Sequence, residues 1–188
     1  GFKNIDYIIA DKNLIKKDEE KFYSEKVIKL PDIWNAHSGF SYKRNFNKLP
    51  SLNNNHFHFG SFNNFKKISN EVVETWSKIL KKADNSKLIL KSSETSDNEI
   101  IMNKFEKFKV HNQIIILNRS DFPDNLSHLK SYINIDLAFD TFPYNGVTTT
   151  FEALWMNVPV LVLRGNNFLS RCGESIIKNA NLNEYCKR

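Results

Sequence analysis

The sequence predicts an α/β protein built on a doubly wound, parallel sheet. Short apolar runs bounded by turn residues alternate with segments of helical periodicity, and this alternation is typical of parallel strands joined by right-handed helical crossovers. The length of 188 residues fits one domain or at most two small ones. A hydrophobic content of 40% and an aromatic content of 13% exclude a disordered chain.

The first part of the chain is predicted to contain little regular structure beyond two extended pieces. Asp6–Ala10 is a short apolar strand, and Lys26–Leu30 before Pro31 is a second extended piece. The segment between them is highly charged. Asp32–Asn55 is polar, dotted with aromatic residues and without a sustained period, which indicates a linker or a long surface loop.

Strands and helices alternate through the rest of the chain. Ser69 is a predicted N-cap ahead of an apolar helix face that includes Trp76, and Trp155 lies on the apolar face of a later helix. Both tryptophans are expected in the core. Strands are predicted near residues 56–62, 87–91, 113–117, 135–139 and 159–163, and helices near residues 69–80, 100–108, 148–158 and 169–180, with a short helix through His128 and Leu129.

The stretch Asp140–Thr150 lies between a buried strand and a helix and is the most informative part of the sequence. Pro143, Asn145 and Gly146 end the strand, because Pro cannot extend the ladder and Gly permits unusual backbone angles. Thr148–Thr150 follow as candidate cap residues. A helix N-terminus beyond a parallel strand also favours an anion such as phosphate. Spacing alone favours capping, with anion binding as the alternative, because the stretch matches neither a Walker loop nor GxGxxG.

Charge and rare residues exclude several classes of function. The net charge is +6, but the lysines are scattered among asparagines, so no nucleic-acid partner is expected. No apolar run approaches the ~20 residues that span a bilayer, so no membrane partner is expected. Cys172 and Cys186 are too few for a disulfide framework, and the histidines lack metal-like spacing; we expect reduced thiols, a cytoplasmic location and no metal. Because Gly1 is neither an initiator methionine nor part of a signal sequence, we expect a fragment of a longer protein.

Four sets of residues occur in an order that matches a known family over nearly the whole chain. They are Asp6–Asp11 with Tyr23–Lys26, Phe59–Ile68, Asp140–Pro159 and Ser170–Arg171. These residues resemble the C-terminal catalytic half of the O-GlcNAc transferase family, the SPINDLY-type, tetratricopeptide-linked glycosyltransferases with bacterial members. The resemblance implies a Rossmann-like sheet in the C-terminal lobe of a GT-B glycosyltransferase. It assigns residues 1–55 to the end of the N-terminal lobe and a linker, and residues 56–188 to the nucleotide-sugar-binding domain.

The resemblance also implies which residues hold the diphosphate of a nucleotide sugar. Asn64 and Lys67 would contact the phosphates, with Lys67 as the catalytic residue. From the residues alone, this lysine would be a solvated surface charge. Asn145 and Gly146 belong to the turn that would approach the ligand. The β-phosphate would bind Thr148 and Thr149.

The nucleoside end of the implied site involves residues with plainer alternatives. His128 would pack near the uracil, although a lone histidine there is most often a surface or helix-capping residue. Glu152 would accept from the ribose hydroxyls, and the alternative is compensation of the helix dipole. Arg171 would support the site or pair with a nearby acid. Three positions depart from better-known members, which carry Lys, Arg and His where this chain has Asn125, Ser131 and Val147.

The function implied is transfer of a sugar, N-acetylglucosamine, from a UDP-sugar to Ser or Thr hydroxyls of an acceptor protein or peptide, without a cofactor or metal. The expected partners within the same protein are an N-terminal catalytic lobe and tetratricopeptide repeats upstream. The isolated fragment is expected to be inactive. Two alternatives stay open: the same fold with another nucleotide-sugar donor or acceptor, including Asn, and a non-catalytic nucleotide-binding or scaffolding domain.

Overall fold

A computed structural model of the chain describes residues 4–40, 42, 49–53 and 55–187. Eight strands and six α-helices lie within these residues. The strands are β1 (Tyr7–Ala10), β2 (Lys26–Lys29), β3 (Phe57–Ser61), β4 (Ser86–Ser92), β5 (Ile114–Asn118), β6 (Leu137–Phe139), β7 (Val160–Leu163) and β8 (Cys186–Lys187). The helices are α1 (Pro50–Asn53), α2 (Asn70–Lys82), α3 (Asp97–Glu106), α4 (Asn125–Lys130), α5 (Thr148–Trp155) and α6 (Cys172–Asn179).

The main sheet has six parallel strands in the order β5-β4-β3-β6-β7-β8. Strands β4 and β5 are added in sequence on one side of β3. The chain then returns to the other side of β3, where β6, β7 and β8 are added in sequence. This is the strand order of a dinucleotide-binding Rossmann fold, with its reversal between β3 and β6. The predicted doubly wound, parallel α/β fold is therefore confirmed.

Both faces of the main sheet carry a hydrophobic core, because side chains alternate between faces along each strand. On β4, Leu88 and Leu90 pack into one cluster with α2 and α3, and Ile89 points into the other. The second cluster contains Ala153 of α5 and Ile177 of α6. Helices cover both faces of the sheet. Side chains on both faces of each strand are therefore buried, which explains why the strand sequences are continuous apolar runs.

Helix α2 follows the prediction closely. The Ser69 hydroxyl accepts from Val72 N at 3.3 Å and caps the helix, as the sequence indicates. Trp76 is 5% exposed, and its ring stacks on Phe139 with a centroid distance of 5.6 Å. Burial of such a side chain stabilises the fold by about 1.5–3 kcal/mol. The expectation that Trp76 is core is confirmed.

The same expectation for Trp155 is wrong, since this side chain is 40% exposed. The buried residues of α5 are instead Thr150 and Ala153, whose small side chains face the sheet. The Trp155 indole lies at the surface against Phe40 and donates from Nε1 to the carbonyl oxygen of Tyr42 at 2.6 Å. Helix α6 also differs from its prediction and begins at Cys172, because residues 167–170 form a hydrogen-bonded turn before it.

Strands β1 and β2 form a separate parallel pair outside the main sheet. This N-terminal unit is joined to α6 by buried polar contacts. Arg171 donates to both carboxylate oxygens of Glu19, at 2.5 and 2.8 Å, and Asp11 accepts from Ser175 Oγ. The structure thus shows Arg171 paired with an acid, which was one of its two predicted roles.

The described part of the segment between β2 and β3 contains one short helix, α1, which the prediction of a linker or loop for residues 32–55 did not include. Pro50 is its first residue, where the missing N–H has no consequence for helix hydrogen bonding. Residues 41, 43–48 and 54 of the predicted linker lie outside the described residues. The division of the chain at residue 55 into two domains stays a prediction.

Candidate functional site

The candidate site lies where the strand order reverses, beyond the carboxyl ends of β3 and β6. Ligands of open α/β sheets bind at this position, because the loops from the two neighbouring strands separate there. The loop after β3 leads into a 3₁₀ helix at Phe65–Lys67. The segment after β6, residues 140–147, leads into α5 and is named the central turn here.

Asp140 organises the central turn. Its Oδ1 accepts from the backbone N–H of Gly146 at 2.6 Å and from that of Thr141 at 2.8 Å. Asn63 Nδ2 donates to the same oxygen at 3.5 Å. The carboxyl group is buried, and this burial raises its pKa to about 7, against the opposing effect of the hydrogen bonds and of Lys67. Asp140 is therefore a titratable group at the bottom of the turn.

Only glycine fits at position 146, because three polar side-chain atoms lie too close to its Cα to leave room for a Cβ. A Cβ at this position would lie 2.3 Å from Thr149 Oγ1, 2.8 Å from Asn63 Oδ1 and 3.1 Å from Asp140 Oδ1. Thr149 Oγ1 itself donates to Asn63 Oδ1 at 3.1 Å, so a single hydrogen bond joins the loop after β3 to the start of α5. The glycine thus lets the loops of β3 and β6 meet.

Lys67 lies against the central turn. Its Nζ donates to the carbonyl oxygen of Asn145 at 3.1 Å and lies 3.9 Å from the centroid of the Tyr144 ring. Partial burial lowers the pKa of Lys67, and the nearby Asp140 carboxylate acts in the opposite direction. A half-buried ammonium group is consequently held beside the N-terminus of α5. The plain alternative, a solvated surface lysine, is wrong.

Asn64 and Asn145 have local structural partners. The Asn64 side chain accepts from Lys66 N at 2.9 Å and caps the 3₁₀ helix, and the residue is solvent-exposed. Asn145 is fully buried; its Nδ2 donates to Thr141 O at 2.9 Å, and its Oδ1 accepts from Gly173 N at 3.2 Å. The Asn145 amide therefore fastens the central turn to α6, while its backbone carbonyl faces Lys67.

The threonines after the turn do not cap α5, contrary to the reading that spacing favoured. The N-cap residue is Val147, which makes no side-chain cap hydrogen bond. Thr150 Oγ1 bonds backward to Gly146 O at 3.2 Å, Thr149 Oγ1 bonds to Asn63, and Thr148 is exposed at the first position of the helix. An α-helix leaves its first N–H groups without intrahelical partners. Those of α5 are directed into the candidate site without a capping side chain.

His128 and Glu152 come together in a second part of the site. His128 Nε2 lies 3.0 Å from Glu152 Oε2, and Tyr132 OH donates to the same oxygen at 2.9 Å. Lys91, at the carboxyl end of β4, contacts His128 Nδ1. We call these four residues the carboxylate network. It holds Glu152 by side-chain contacts in the second turn of α5, so its carboxylate does not lie in the first turn as dipole compensation requires.

Sequence reasoning missed Lys91 and Tyr132. A signal for Lys91 existed, because it ends a predicted strand at the sheet edge where ligands bind. No signal indicated Tyr132, which lies in the 3₁₀ turn Ser131–Asn134 and is 2% exposed. Burial and the adjacent Glu152 raise its pKa well above the usual value for tyrosine, so the hydroxyl acts as a donor.

Among the residues that the structure describes, no set of three His, Cys, Asp or Glu side chains is arranged to hold a metal ion. Cys172 and Cys186 are free thiols, and the cytoplasmic location stays a prediction. Within the same described ranges, no helix combines the length and apolar character that crossing a bilayer requires.

The fold and the site together define the C-terminal lobe of a GT-B glycosyltransferase, in which a parallel sheet presents a basic, hydroxyl-rich turn at its switch point. The model of glycosyl transferase family 41 matches residues 40–187, and the chain belongs to this family. The identification of the O-GlcNAc transferase family from sequence motifs is thereby confirmed.

Two comparisons show how similar the chain is to known members. It is 30% identical over 191 residues to the probable UDP-N-acetylglucosamine–peptide N-acetylglucosaminyltransferase SPINDLY of Eustoma exaltatum subsp. russellianum, covering 97% of this chain and 20% of that protein. A mutant of the O-GlcNAc transferase of Thermobaculum terrenum superposes with a TM-score of 0.84 at 28% identity, covering 97% of this chain and 35% of that one. The lipopolysaccharide glycosyltransferase WaaG shares the fold, with a TM-score of 0.55 at 14% identity. The chain thus spans about a fifth of the length of the curated relatives it matches.

Proposed function

We propose that this chain is the donor-binding lobe of a glycosyltransferase and that it holds the diphosphate of a UDP-sugar against the central turn. The observation that carries the proposal is the placement of the Lys67 ammonium group 3.1 Å from Asn145 O, beside the uncapped start of α5. A positive side chain and helix N–H groups lie there, with the exposed Thr148 at the first helical position. This combination suits a phosphate group and suits few other ligands.

The same groups supply the chemistry. When the bond between the sugar and the diphosphate breaks, negative charge accumulates on the departing diphosphate. Lys67 and the α5 N-terminus are fixed before the reaction and stabilise that charge without reorganising. We propose that this charge stabilisation takes the place of a metal ion. The donors that would stabilise the charge are an ammonium group, N–H groups and a hydroxyl.

The nucleoside is proposed to bind at the carboxylate network. Glu152 is held by His128 and Tyr132 through one oxygen, Oε2, which leaves Oε1 to accept from ribose hydroxyls. The partly exposed His128 ring lies 6.1 Å from the buried Phe62 ring between centroids and offers a face against which a uracil ring can pack.

The sugar and the acceptor are proposed from the relatives. The SPINDLY relatives are named as transferring N-acetylglucosamine from UDP to peptides, and we propose the same donor, with Ser or Thr hydroxyls of a protein as acceptors. We further propose an N-terminal catalytic lobe and tetratricopeptide repeats within the same protein. One surface supports an additional lobe: the apolar side chains of Tyr7, Ile9 and Ile28 on β1 and β2 are 56%, 53% and 41% exposed.

The first experiment is calorimetric titration of UDP into the 188-residue chain and into its Lys67→Ala variant. A hydrogen bond to a charged group contributes about 1.5–3 kcal/mol, so we expect Lys67→Ala to weaken binding about 10- to 100-fold. Lys66→Ala is the matched control, since it removes an exposed charge from the neighbouring position and should change affinity less than about twofold. Equal weakening by both variants would show that only overall charge matters and would overturn the proposed contact.

The second experiment concerns transfer. A longer protein that contains this chain is incubated with UDP-N-acetylglucosamine and a Ser/Thr peptide library, beside its Lys67→Ala variant. We expect transfer by the parent, loss of transfer in the variant, and no transfer by the 188-residue chain alone. Transfer from another nucleotide sugar, or to Asn, would correct the proposed substrates. UDP binding without transfer from any donor would favour a non-catalytic nucleotide-binding domain.

A further inference from the structure

Lys91 is a buried lysine that the proposed reaction leaves without a role. It lies at the carboxyl end of β4 and is only 8% exposed. Its Nζ lies 4.5 Å from the centroid of the Phe122 ring and 5.9 Å from that of Phe62, and it contacts His128 Nδ1. A lysine is rarely buried unless a specific partner holds its charge. The partner here is the imidazole of His128.

The contacts on the two ring nitrogens of His128 determine which of them carries the proton. An ammonium group has donors only, so it must direct an N–H at a ring nitrogen that has a free lone pair. Nδ1 is then the acceptor, and in the neutral ring the proton resides on Nε2. Nε2–H lies 3.0 Å from Glu152 Oε2 and can donate to it, which the other tautomer cannot do.

The state of Lys91 at neutral pH agrees with this assignment. Burial lowers its pKa to about 8, the nearby Arg119 guanidinium lowers it further, and Glu152 acts in the opposite direction. Below pH 8 the ammonium form predominates, so the donor to Nδ1 is present. Tyr132 OH supplies the second donor to Glu152 Oε2, at 2.9 Å.

We propose that Lys91 is a positioning residue, which holds His128 in the Nε2-protonated form and thereby orients the Glu152 carboxylate toward the hydroxyls of the nucleotide. The inference rests on the proposed function for its ligand, but the proton assignment within the carboxylate network does not depend on any ligand. Glu152 accepts at Nε2 and Lys91 donates at Nδ1, so the carboxylate fixes one proton on the ring and Lys91 keeps a second proton off Nδ1 from β4, outside the helices that carry His128 and Glu152.

The test measures the two ring nitrogens of His128 directly. The full 188-residue chain, labelled with nitrogen-15, is examined by long-range proton–nitrogen correlation at pH 7, and UDP affinity is measured on the same samples. We expect a protonated Nε2 and an unprotonated Nδ1 in the wild type. Lys91→Met removes the donor to Nδ1, so part of the rings should carry a proton on both nitrogens, and UDP binding should weaken about tenfold. Lys91→Arg keeps a cationic donor and should restore the single tautomer.

Lys87→Met is the matched control, because Lys87 lies on the same strand and its Nζ bonds to Asn112 O at the opposite end, away from the network. It should leave the His128 signals and the affinity unchanged. A wild-type ring protonated at Nδ1, or a Lys91→Met ring whose Nδ1 stays unprotonated, overturns the inference. If Lys91→Met does not fold, the wild-type and Lys91→Arg spectra decide the question. A wild type with the expected tautomer that binds no UDP refutes the proposed nucleotide site and leaves the proton assignment standing.

Discussion

Replacement of Gly146 by alanine tests whether the loops of β3 and β6 must meet as closely as the structure shows. The added Cβ would lie 2.3 Å from Thr149 Oγ1 and 2.8 Å from Asn63 Oδ1, and neither distance is compatible with a carbon atom in place. Thr149 can escape only by rotating its hydroxyl away, which breaks its 3.1 Å hydrogen bond to Asn63. Asn63 is 4% exposed and has little room to move.

The cost follows from these two effects. Loss of the hydrogen bond lowers the free energy of unfolding by about 0.5–1.5 kcal/mol. Insertion of a methyl group into a packed site lowers it by about 1–3 kcal/mol more. We therefore expect Gly146→Ala to lower the free energy of unfolding by about 2–4 kcal/mol, which in a chain of this size corresponds to a decrease in Tm of about 5–15 °C. Urea unfolding followed by circular dichroism measures the first quantity, and calorimetry the second.

A double-mutant cycle with Thr149→Ala identifies the cause. Removal of the Thr149 hydroxyl eliminates the closest contact, so the double variant should lose about 1–2 kcal/mol less than the sum of the two single losses. A Gly146→Ala variant within about 0.5 kcal/mol of the wild type would refute the reasoning, because surface substitutions alone have effects of that size. Strict additivity would show that Thr149 is not the obstructing group.

Three further predictions concern charges. Because the folded-state pKa of Asp140 is raised from 3.8 to about 7, its contribution to stability is lost as pH rises through that interval, and Asp140→Asn should flatten this part of a urea-unfolding pH series. The pKa of Glu19 is lowered from 4.5 to about 2, mainly by its hydrogen bond to Arg171, so stability should fall as pH decreases through that range; Glu19→Gln should remove this dependence and cost about 2–3 kcal/mol at pH 7. In UDP titrations, Tyr144→Leu should weaken binding about 3- to 10-fold because the ring no longer faces Lys67, whereas Tyr144→Phe should bind as the wild type does.

The sequence by itself determined the local structure wherever the signals were local. Ser69 caps α2 as predicted, and the apolar runs of β3 to β7 appear as strands close to their predicted positions. Periodicity and capping depend on neighbours within a few residues, so the chain carries this information without its fold. The same holds for the central turn, where Gly146 marks a break in the strand.

Local signals were misleading where tertiary packing set the orientation of a side chain. Thr148–Thr150 are residues of a type that often caps helices. In the structure, however, the Thr149 hydroxyl donates to Asn63 Oδ1 and the Thr150 hydroxyl donates to Gly146 O, so neither caps α5. Trp155 has helical spacing but lies at the surface, because α5 packs its small residues against the sheet. Spacing identifies which residues share a helix face, and only the packed structure decides which face is buried.

In the candidate site, too, some residues were indicated by the sequence, whereas the contacts between them were set by the tertiary structure. Only the family resemblance indicated Lys67, because a lysine after a strand has no distinctive sequence pattern. The structure shows its ammonium group against Asn145, 78 positions further along the chain. Lys91, Tyr132 and Glu152 come from three elements whose meeting depends on strand order and on the crossing of α5 over the sheet. Contacts between residues so far apart in the sequence depend on the topology of the fold, and no local periodicity predicts them. The sequence thus determined the elements and the family, and the tertiary structure decided which charged groups face one another.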